Sequence, residues 1–509
     1  MTVRVAVTGA TSDFGTTILP VLLADPEVSA VVGLSRRELQ ISHPKLESRR
    51  MDVRDPGLEE ALRDCAAVVH LAFVVEEIRD KCETHDINLR GSRNVIDCAY
   101  RAGARRVVIA SSVNAYGPQL RPKPVTEDVY PEGDPVRYYF HDKAEVEHYA
   151  EWWLRRHPGQ MAISMLRPTY IVGPDFANDG IEQLTGPVAV FPQADEAAYQ
   201  FLHQGDLADA FHRAVKADLV GPYNVGPTDW VGVRELAAMQ GQRLFEVPER
   251  PAVVVANAAF RLGLTPFSGH WVTAGETVVD SSRLTAATGW RPSMSAREAA
   301  AIMILLQGKS LLRREDGLAR HAACEAALAP ASKIVGVDGS GLDHVQIATP
   351  TGGVHAEVHA DQSGSRRGTV LIAAPPGSHA RHLTPMAAEV CARGLDVVVL
   401  DLPGHGLSTG ERGRAPRRAV RAALAAATAY ARARFDREPV VLGARGGDGL
   451  RVPGRTRALR GRFGTAPGYR RADPLLPRTV RYDDSLGHLP RADTTADVLR
   501  LAGFGRGRR

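Results

Sequence analysis

The sequence predicts an α/β protein built on a doubly wound parallel sheet with a small substrate lobe, followed by a second, partial α/β sheet and a tail. Three observations carry this. The 509-residue chain opens with Val3-Arg4-Val5-Ala6-Val7, and similar apolar runs recur over residues 28–34, 66–71 and 107–110; runs of this length suit strands buried on both faces. The first run passes through Thr8-Gly9-Ala10-Thr11-Ser12-Asp13-Phe14-Gly15 into Ile18, Leu19, Val21, Leu22 and Leu23, which reads as strand, glycine turn, helix. Lastly, Tyr139 and Lys143 lie one helical turn apart in Tyr139-Phe140-His141-Asp142-Lys143, so a helix there turns both side chains to one face.

Taken in chain order, each element has a chemical consequence. Glycine in the first turn lets the backbone approach a ligand, and the free N–H groups of the following helix attract a pyrophosphate. The second strand ends in Ser35-Arg36-Arg37. An acid there would accept the ribose hydroxyls of NAD, whereas arginine pairs with the extra phosphate of NADP, so NADP is favoured over NAD. The fourth run ends in Ser111-Ser112, followed by Asn114, Tyr116 and Gly117. A hydroxyl at a strand's carboxyl end sits where such sheets bind ligands, and Ser112 can donate to a carbonyl or alkoxide beside Tyr139. A free phenol has a pKa near 10. An ammonium about 4 Å away contributes roughly 4 kcal/mol at an effective dielectric near 20, so Lys143 is expected to acidify Tyr139 by about three units.

In this order the residues resemble the extended short-chain dehydrogenase/reductases, a group of NAD(P)-dependent epimerases, dehydratases and reductases with a Rossmann-type sheet. The resemblance spans about residues 3–305. Its glycine turn falls on Thr8, Gly9 and Gly15, its adenine-side aspartate on Asp52 in Met51-Asp52-Val53, its third-strand end on His70-Leu71-Ala72 and its structural asparagine on Asn88. Leu166-Arg167-Pro168-Thr169-Tyr170, Phe201-Leu202-His203-Gln204-Gly205-Asp206, Tyr223-Asn224-Val225-Gly226 and Gly289-Trp290-Arg291-Pro292 resemble its later segments. The implied catalytic set is Ser112, Tyr139 and Lys143. The implied cofactor contacts are Thr8, Gly9, Thr11, Ser12, Asp13, Phe14, Gly15, Ser35, Arg36, Asp52, Val53, Leu71, Ala72, Asn88, Lys143 and Pro168. Hydride transfer at a carbinol or carbonyl carbon follows, with Tyr139 exchanging the proton, Lys143 also holding the nicotinamide ribose, and Ser112 binding the reacting oxygen. Val113 and Asn114 stand where dehydratases of the family carry an Asp-Glu pair, so reduction or epimerisation is expected over dehydration. Ser12 replaces a usual glycine; it fits only with a negative φ or with its hydroxyl on phosphate.

Residues 1–307 form the expected enzyme and residues 308–340 a linker. Over residues 341–450 a second pattern starts, and Asp401-Leu402-Pro403-Gly404-His405-Gly406-Leu407-Ser408 resembles the α/β-hydrolase fold of the lysophospholipase and serine-aminopeptidase type. That family places a GxSxG nucleophile elbow after the next strand. Here Gly443-Ala444-Arg445-Gly446-Gly447 puts arginine in the serine's place, and arginine has no nucleophilic lone pair at neutral pH. Hydrolase activity is therefore not expected. Residues 451–509 contain neither lysine nor glutamate and read as a disordered, arginine-rich product of a shifted reading frame; Asp483 and His488 lack a serine to serve.

The formal charge of +5 hides an asymmetry: residues 451–509 carry 14 arginines against 5 aspartates, leaving −4 on the remainder. No basic stripe interleaved with aromatics points to nucleic acid. Cys65, Cys82, Cys98, Cys324 and Cys391 lack CxxC spacing and read as thiols of a reducing, cytoplasmic protein without metal. Residues 252–259 read as the stretch nearest to a membrane span; Arg261 ends it well short of one, and it is expected to be a buried helix of the substrate lobe. The expected partner is a small molecule, with a sugar nucleotide among the candidates, and the resemblance allows a homodimer. Two rival readings are a non-catalytic NADP sensor and a bifunctional reductase and hydrolase with a damaged hydrolase half.

Overall fold

The computed structural model describes residues 3–39, 41, 43–75, 81–119, 121–173, 176, 179–185, 188–192, 197–263, 268–269, 276–307, 342–361, 367–374, 380–405, 408–410, 415–444 and 457–459. The linker, Arg445 and nearly all of the tail lie outside these residues. Two compact units separate: residues 1–172, 190–236 and 244–299 form one, and residues 173–189, 237–243 and 300–509 the other.

In chain order the first half contains β1 (Val3–Thr8), α1 (Asp13–Ala24), β2 (Val28–Ser35), β3 (Leu46–Arg50), α2 (Leu58–Ala61), β4 (Ala67–His70), α3 (Lys81–His85), α4 (Gly91–Arg101), β5 (Arg106–Ala110), α5 (Tyr138–Arg156) and β6 (Ala162–Pro168). There follow β7 (Tyr170–Val172), α6 (Asp179–Leu184), β8 (Val188–Pro192), β9 (Ala198–Tyr199), β10 (Phe201–His203), α7 (Gln204–Lys216), β11 (Gly221–Val225), β12 (Val231–Gly232), α8 (Val233–Gln240), β13 (Arg243–Val247), α9 (Glu249–Arg261), α10 (Ser282–Thr288) and α11 (Ala296–Gln307). Seven strands form one sheet in the order β11-β6-β5-β4-β1-β2-β3. Every pairing in it is parallel, so the strands' carboxyl ends share one edge.

The apolar runs become central strands because both faces are covered. Ala6, Val32, Val68, Val107, Ile109 and Ile163 pack in one cluster with Val95, Ile96 and Ala99 of α4 and Val146, Ala150 and Trp153 of α5. Their neighbours Val5, Val7, Val31, Val69 and Val108 are equally buried. Helices α1 and α7 pack on each other, with Phe14 edge-on to Phe211 at 6.2 Å between centroids. A π-helical turn, Asp86–Arg90, joins α3 to α4; such turns often mark functional positions.

One expectation fails in this unit. Residues 252–259 do form a helix within α9, but it is not buried: Val254 and Val255 are 67% and 66% exposed. Apolar composition sets a helix's preference for burial, and does not by itself supply the neighbour that would cover it.

The second half has its own sheet: β14 (Leu342–Thr349), β15 (Gly352–His359), β16 (Gly368–Ala373), β17 (Leu395–Leu400), β18 (Val440–Ala444) and β19 (Arg457–Leu459), with α12 (Thr384–Cys391) and α13 (Arg417–Phe435). Its order is β14-β15-β17-β16-β18-β19. The pairs β14–β15 and β15–β17 are antiparallel, and the rest are parallel. Val354, Leu371 and Val398 pack with Val420, Ala423, Ala427 and Phe435 of α13. On the other face Val370, Ile372 and Val399 pack with Met386, Ala387 and Val390 of α12. Three residues of the segment expected to be disordered, Arg457–Leu459, pair with β18; an open strand edge offers N–H and C=O groups to any chain that reaches it.

Candidate active site

The site is built at the carboxyl edge of the seven-stranded sheet. Gly9 follows β1 with φ +70°, and a Cβ there would lie 2.6 Å from the Ala72 amide nitrogen. Gly15 is as tightly held: a Cβ would meet Ala10 O at 2.5 Å and Gly9 O at 2.7 Å. These contacts bring the turn against Leu71-Ala72 and leave no room for side chains. Ser12 has φ −77° and caps α1, its hydroxyl accepting from Gly15 N at 3.2 Å and donating to Gly9 O at 2.7 Å. The first condition set for a serine at this place is therefore met. Asp13 is exposed in the first turn, and Thr11 is half-buried with its carbonyl accepting from Arg37 at 3.3 Å.

Thr8 is linked inward by a buried chain. Its Oγ1 meets His70 Nδ1 at 2.7 Å, and His70 Nε2 meets the Ser92 hydroxyl at 2.9 Å. Burial pushes the His70 pKa down to about 3, with Lys143 adding to the shift, so the imidazole is neutral. Asn88 lies in the π-helical turn, fully buried; its Oδ1 accepts from Val74 N at 2.7 Å and its Nδ2 donates to Asp142 at 2.9 Å.

At the outer strands, Ser35 is buried with its hydroxyl on Arg37 O, while Arg36 is exposed. Asp52 is held by Arg54, whose Nε and Nη2 each donate to it at 2.9 Å; that ion pair lowers its pKa. Asn94 donates to Val53 O at 2.8 Å. Pro168 closes β6 beside Val225.

The helix predicted from the Tyr139 and Lys143 spacing is α5. Ser112 ends the strand segment after β5 in extended conformation, and its hydroxyl caps a short 3₁₀ turn, Val113–Tyr116, by accepting from Asn114 N at 3.2 Å. Tyr139 reaches the Ser112 hydroxyl and stands edge-on to Phe73 at 5.7 Å. Lys143 is 5% exposed; its Nζ donates to Ala110 O at 2.8 Å and lies 3.7 Å from the Phe73 ring centroid and 5.7 Å from that of Tyr139.

The electrostatics differ from the sequence expectation. Burial pushes the Tyr139 pKa up to about 12; the Ser112 hydrogen bond opposes this and Glu276 adds to it. Burial likewise pushes Lys143 down to about 7, opposed by Glu147 and Asp142. The phenol is thus a protonated acid across the neutral range. Desolvation of both groups outweighs the acidification that Coulomb attraction alone would give.

Several functional-looking groups escaped sequence reasoning. Glu147 and Arg167 form a buried ion pair, with Arg167 Nε donating at 2.9 and 3.1 Å; Ser111 donates to the same carboxylate. The spacing of Glu147 four residues beyond Lys143 was the available signal. His85, His141 and Asp142 bring three ligand-type atoms within 4.8 Å of one another, but hydrogen bonds from His85 and Asn88 already occupy the Asp142 carboxylate. Glu276, far along the chain, lines a cavity with Asn114, Arg121, Lys123 and Phe140, and no local motif marks it.

The same stretch carries a recognisable family signature. Residues 5–226 match the NAD dependent epimerase/dehydratase family. The uncharacterized protein y4nG of Sinorhizobium fredii is 27% identical over 304 residues, 57% of this chain and 74% of that protein. N-acetyl-alpha-D-glucosaminyl-diphospho-ditrans,octacis-undecaprenol 4-epimerase of Escherichia coli O157:H7 is 30% identical over 175 residues, 33% of this chain and 49% of that enzyme. Among solved structures, MoeE5 in complex with UDP-glucuronic acid and NAD aligns at 22% identity and a TM-score of 0.48, over 58% of this chain and 96% of that one. The residues matched to that family model include Thr8, Gly9, Ser112, Tyr139 and Lys143.

Proposed function

We propose that this protein is an NAD(P)-dependent oxidoreductase or epimerase that moves a hydride at a carbinol or carbonyl carbon of a small molecule, with sugar nucleotides as the leading substrate class. The observation that carries the reading is the convergence of Ser112, Tyr139 and Lys143 on one edge of the sheet beside the Gly9 turn. Where a Cβ at Gly9 or Gly15 would strike backbone, only glycine leaves the turn close enough for a pyrophosphate to reach the α1 amino end. The turn and Lys143 therefore fit a bound dinucleotide, with Leu71 and Ala72 at the nicotinamide side and Asp52 and Val53 at the adenine side. That cofactor supplies the hydride acceptor or donor.

The chain's own residues handle oxygen and proton. Ser112 donates to the reacting oxygen, and Tyr139, protonated at neutral pH, delivers a proton to it in the reductive direction. Ammonium charge on Lys143 offsets the negative charge that this leaves on the phenol oxygen. NADP preference is part of the proposal, supported by Arg36 and Arg37 after β2 and the lack of an acid among residues 35–37. The name of one relative, a lipid-diphospho-sugar 4-epimerase, supports the substrate class.

Fluorescence titration of the full-length chain with NADH and NADPH, followed by a screen of sugar nucleotides and small ketones, tests the reading. Binding of neither cofactor sinks it. A non-catalytic sensor would keep cofactor binding and show no turnover that Tyr139→Phe removes. For residues 342–444, a mixed sheet covered on both faces is compatible with the α/β-hydrolase resemblance; with Arg445 in the elbow we propose no hydrolysis there.

A further inference from the structure

Three metal-ligating side chains meet where the end of α3 lies against the start of α5. His85 closes α3, and the π-helical turn Asp86–Arg90 follows it directly; His141 and Asp142 stand on α5. Both imidazoles present Nδ1 to one oxygen. His85 Nδ1 lies 2.5 Å from Asp142 Oδ1, and His141 Nδ1 lies 3.6 Å from the same atom. The two ring centroids are 5.8 Å apart, and the three ligand atoms all fall within 4.8 Å of one another. Asp142 is wholly buried, and Asn88 Nδ2 donates to its other oxygen, Oδ2, at 2.9 Å. The two histidines are half-buried, so solvent reaches the cluster from their side.

The His141 nitrogen is the unexplained member. It is buried without a hydrogen-bond partner among the described residues, and 3.6 Å is too long for a hydrogen bond to Asp142. A proton on this nitrogen leaves an unpaired donor, and its absence sets a lone pair against a carboxylate. A cation between the groups satisfies both. We propose that His85, His141 and Asp142 form a binding site for a divalent transition cation of the zinc class, with water completing its coordination. Two imidazole nitrogens and one carboxylate oxygen suit such an ion, whereas Mg²⁺ and Ca²⁺ favour oxygen shells. With bonds of about 2.0–2.1 Å, tetrahedral ligands stand about 3.3–3.4 Å apart. The His141 to Asp142 separation is already close to that, and His85 has to retreat by about 0.9 Å from its present 2.5 Å. A half-buried side chain at a helix end can make that adjustment. The cation replaces the proton between His85 and Asp142, which moves to His85 Nε2. Asn88 keeps its bond to Oδ2 and orients the ligand from outside the coordination shell. No local motif marks the site, since His85 stands 57 residues before Asp142. The rival is a plain hydrogen bond between His85 and Asp142 with no affinity for metal.

The test uses the full-length chain, stripped with a chelator and dialysed. Zn²⁺ titrated in competition with a chromophoric chelator should show one bound equivalent that raises the melting temperature and that excess Mg²⁺ does not displace. His85→Ala and His141→Ala, each checked for folding by circular dichroism, should weaken binding by more than about tenfold. His148→Gln, on the same helix but outside the cluster, should bind as the wild type does. X-ray absorption at the zinc edge of the loaded wild type needs no variant and should show two imidazoles with oxygen and no sulfur. The proposal is overturned by no Zn²⁺ binding, by displacement with Mg²⁺, by unchanged affinity in either alanine variant or by an equal loss in His148→Gln. A zinc shell with thiolate, or with fewer than two imidazoles, overturns it as well. None of these readouts involves the nicotinamide cofactor or a substrate, so failure here leaves the hydride-transfer reading standing.

Discussion

At the residue scale, chemistry and stability pull against each other at Lys143. The folded protein holds this amine near 7, against 10.5 in the free side chain. The sign follows from linkage: burial disfavours the charged form, so the penalty is complete below about pH 7 and fades as pH rises towards the unfolded value. Replacing Lys143 with methionine should therefore raise the melting temperature at pH 6, with a gain that shrinks by pH 10, while turnover is lost. Scanning calorimetry at the two pH values checks the first half. For Tyr139→Phe we expect a loss of turnover of about 10²–10⁴-fold with NADPH affinity nearly unchanged, measured by stopped-flow absorbance and fluorescence titration. The sequence made this pair legible because helical spacing is a local property. It could not give the sign of the phenol's shift, since that depends on how Phe73, Glu276 and the surrounding strands exclude water from the two groups.

Between residues and fold, the elements show why capping and ion pairing matter here. Ser12 caps α1 through Gly15 N, so Ser12→Ala should destabilise the protein by about 1 kcal/mol and Ser12→Gly by only a few tenths; chemical denaturation measures both. A greater loss of NADPH affinity than of stability in Ser12→Ala would instead assign the hydroxyl to the phosphate. At the other end of α1, Asp25 meets His212 Nε2 at 2.6 Å and Lys216 Nζ at 3.1 Å on α7. Burial works against the charge, yet those two partners and the Glu27 amide bring its pKa down to about 2. A lowered carboxylate contributes stability above the unfolded value of about 3.9 and loses it as pH falls towards 2. Asp25→Asn should cost about 1–2 kcal/mol at pH 7, discounted for the partly exposed Lys216, and very little at pH 2. Element existence was legible wherever both faces of a strand are covered, as in residues 28–34. Burial of α9 was not legible, because Val254 and Val255 have helix-compatible, apolar side chains and no covering partner that a linear pattern could reveal.

Across the whole molecule, two α/β sheets follow one another, and they differ in what their carboxyl edges offer. The first gathers a hydroxyl, a phenol and an amine beside a glycine turn. The second leads through β18 towards Gly443-Ala444-Arg445-Gly446-Gly447, where a nucleophile would be required. We expect no labelling of the full-length protein by a fluorophosphonate probe, read by gel fluorescence, and no esterase activity when Arg445 is replaced by serine. Both results follow if the acid and histidine of a triad are missing as well as the serine. Among the described residues no helix is long and apolar enough to cross a membrane. Order along the chain was readable over long stretches because each strand and turn has local chemistry. Glu276 was not, for its partners Ala198 and Tyr170 lie far from it in sequence and nothing adjacent to it differs from an ordinary loop.

The ion pair between Glu147 and Arg167 constrains how this chain can change over time. Both side chains are almost wholly out of water, at 2% and 1% exposure, so losing either one strands the other as a bare charge, at a cost of about 3–5 kcal/mol. Every single-step path away from the pair therefore passes through a poorly folded intermediate. A double replacement by apolar residues of matching volume would meet no such barrier. Descendants of this sequence should accordingly keep both residues or lose both, and Ser111, whose hydroxyl depends on that carboxylate, should change along with them.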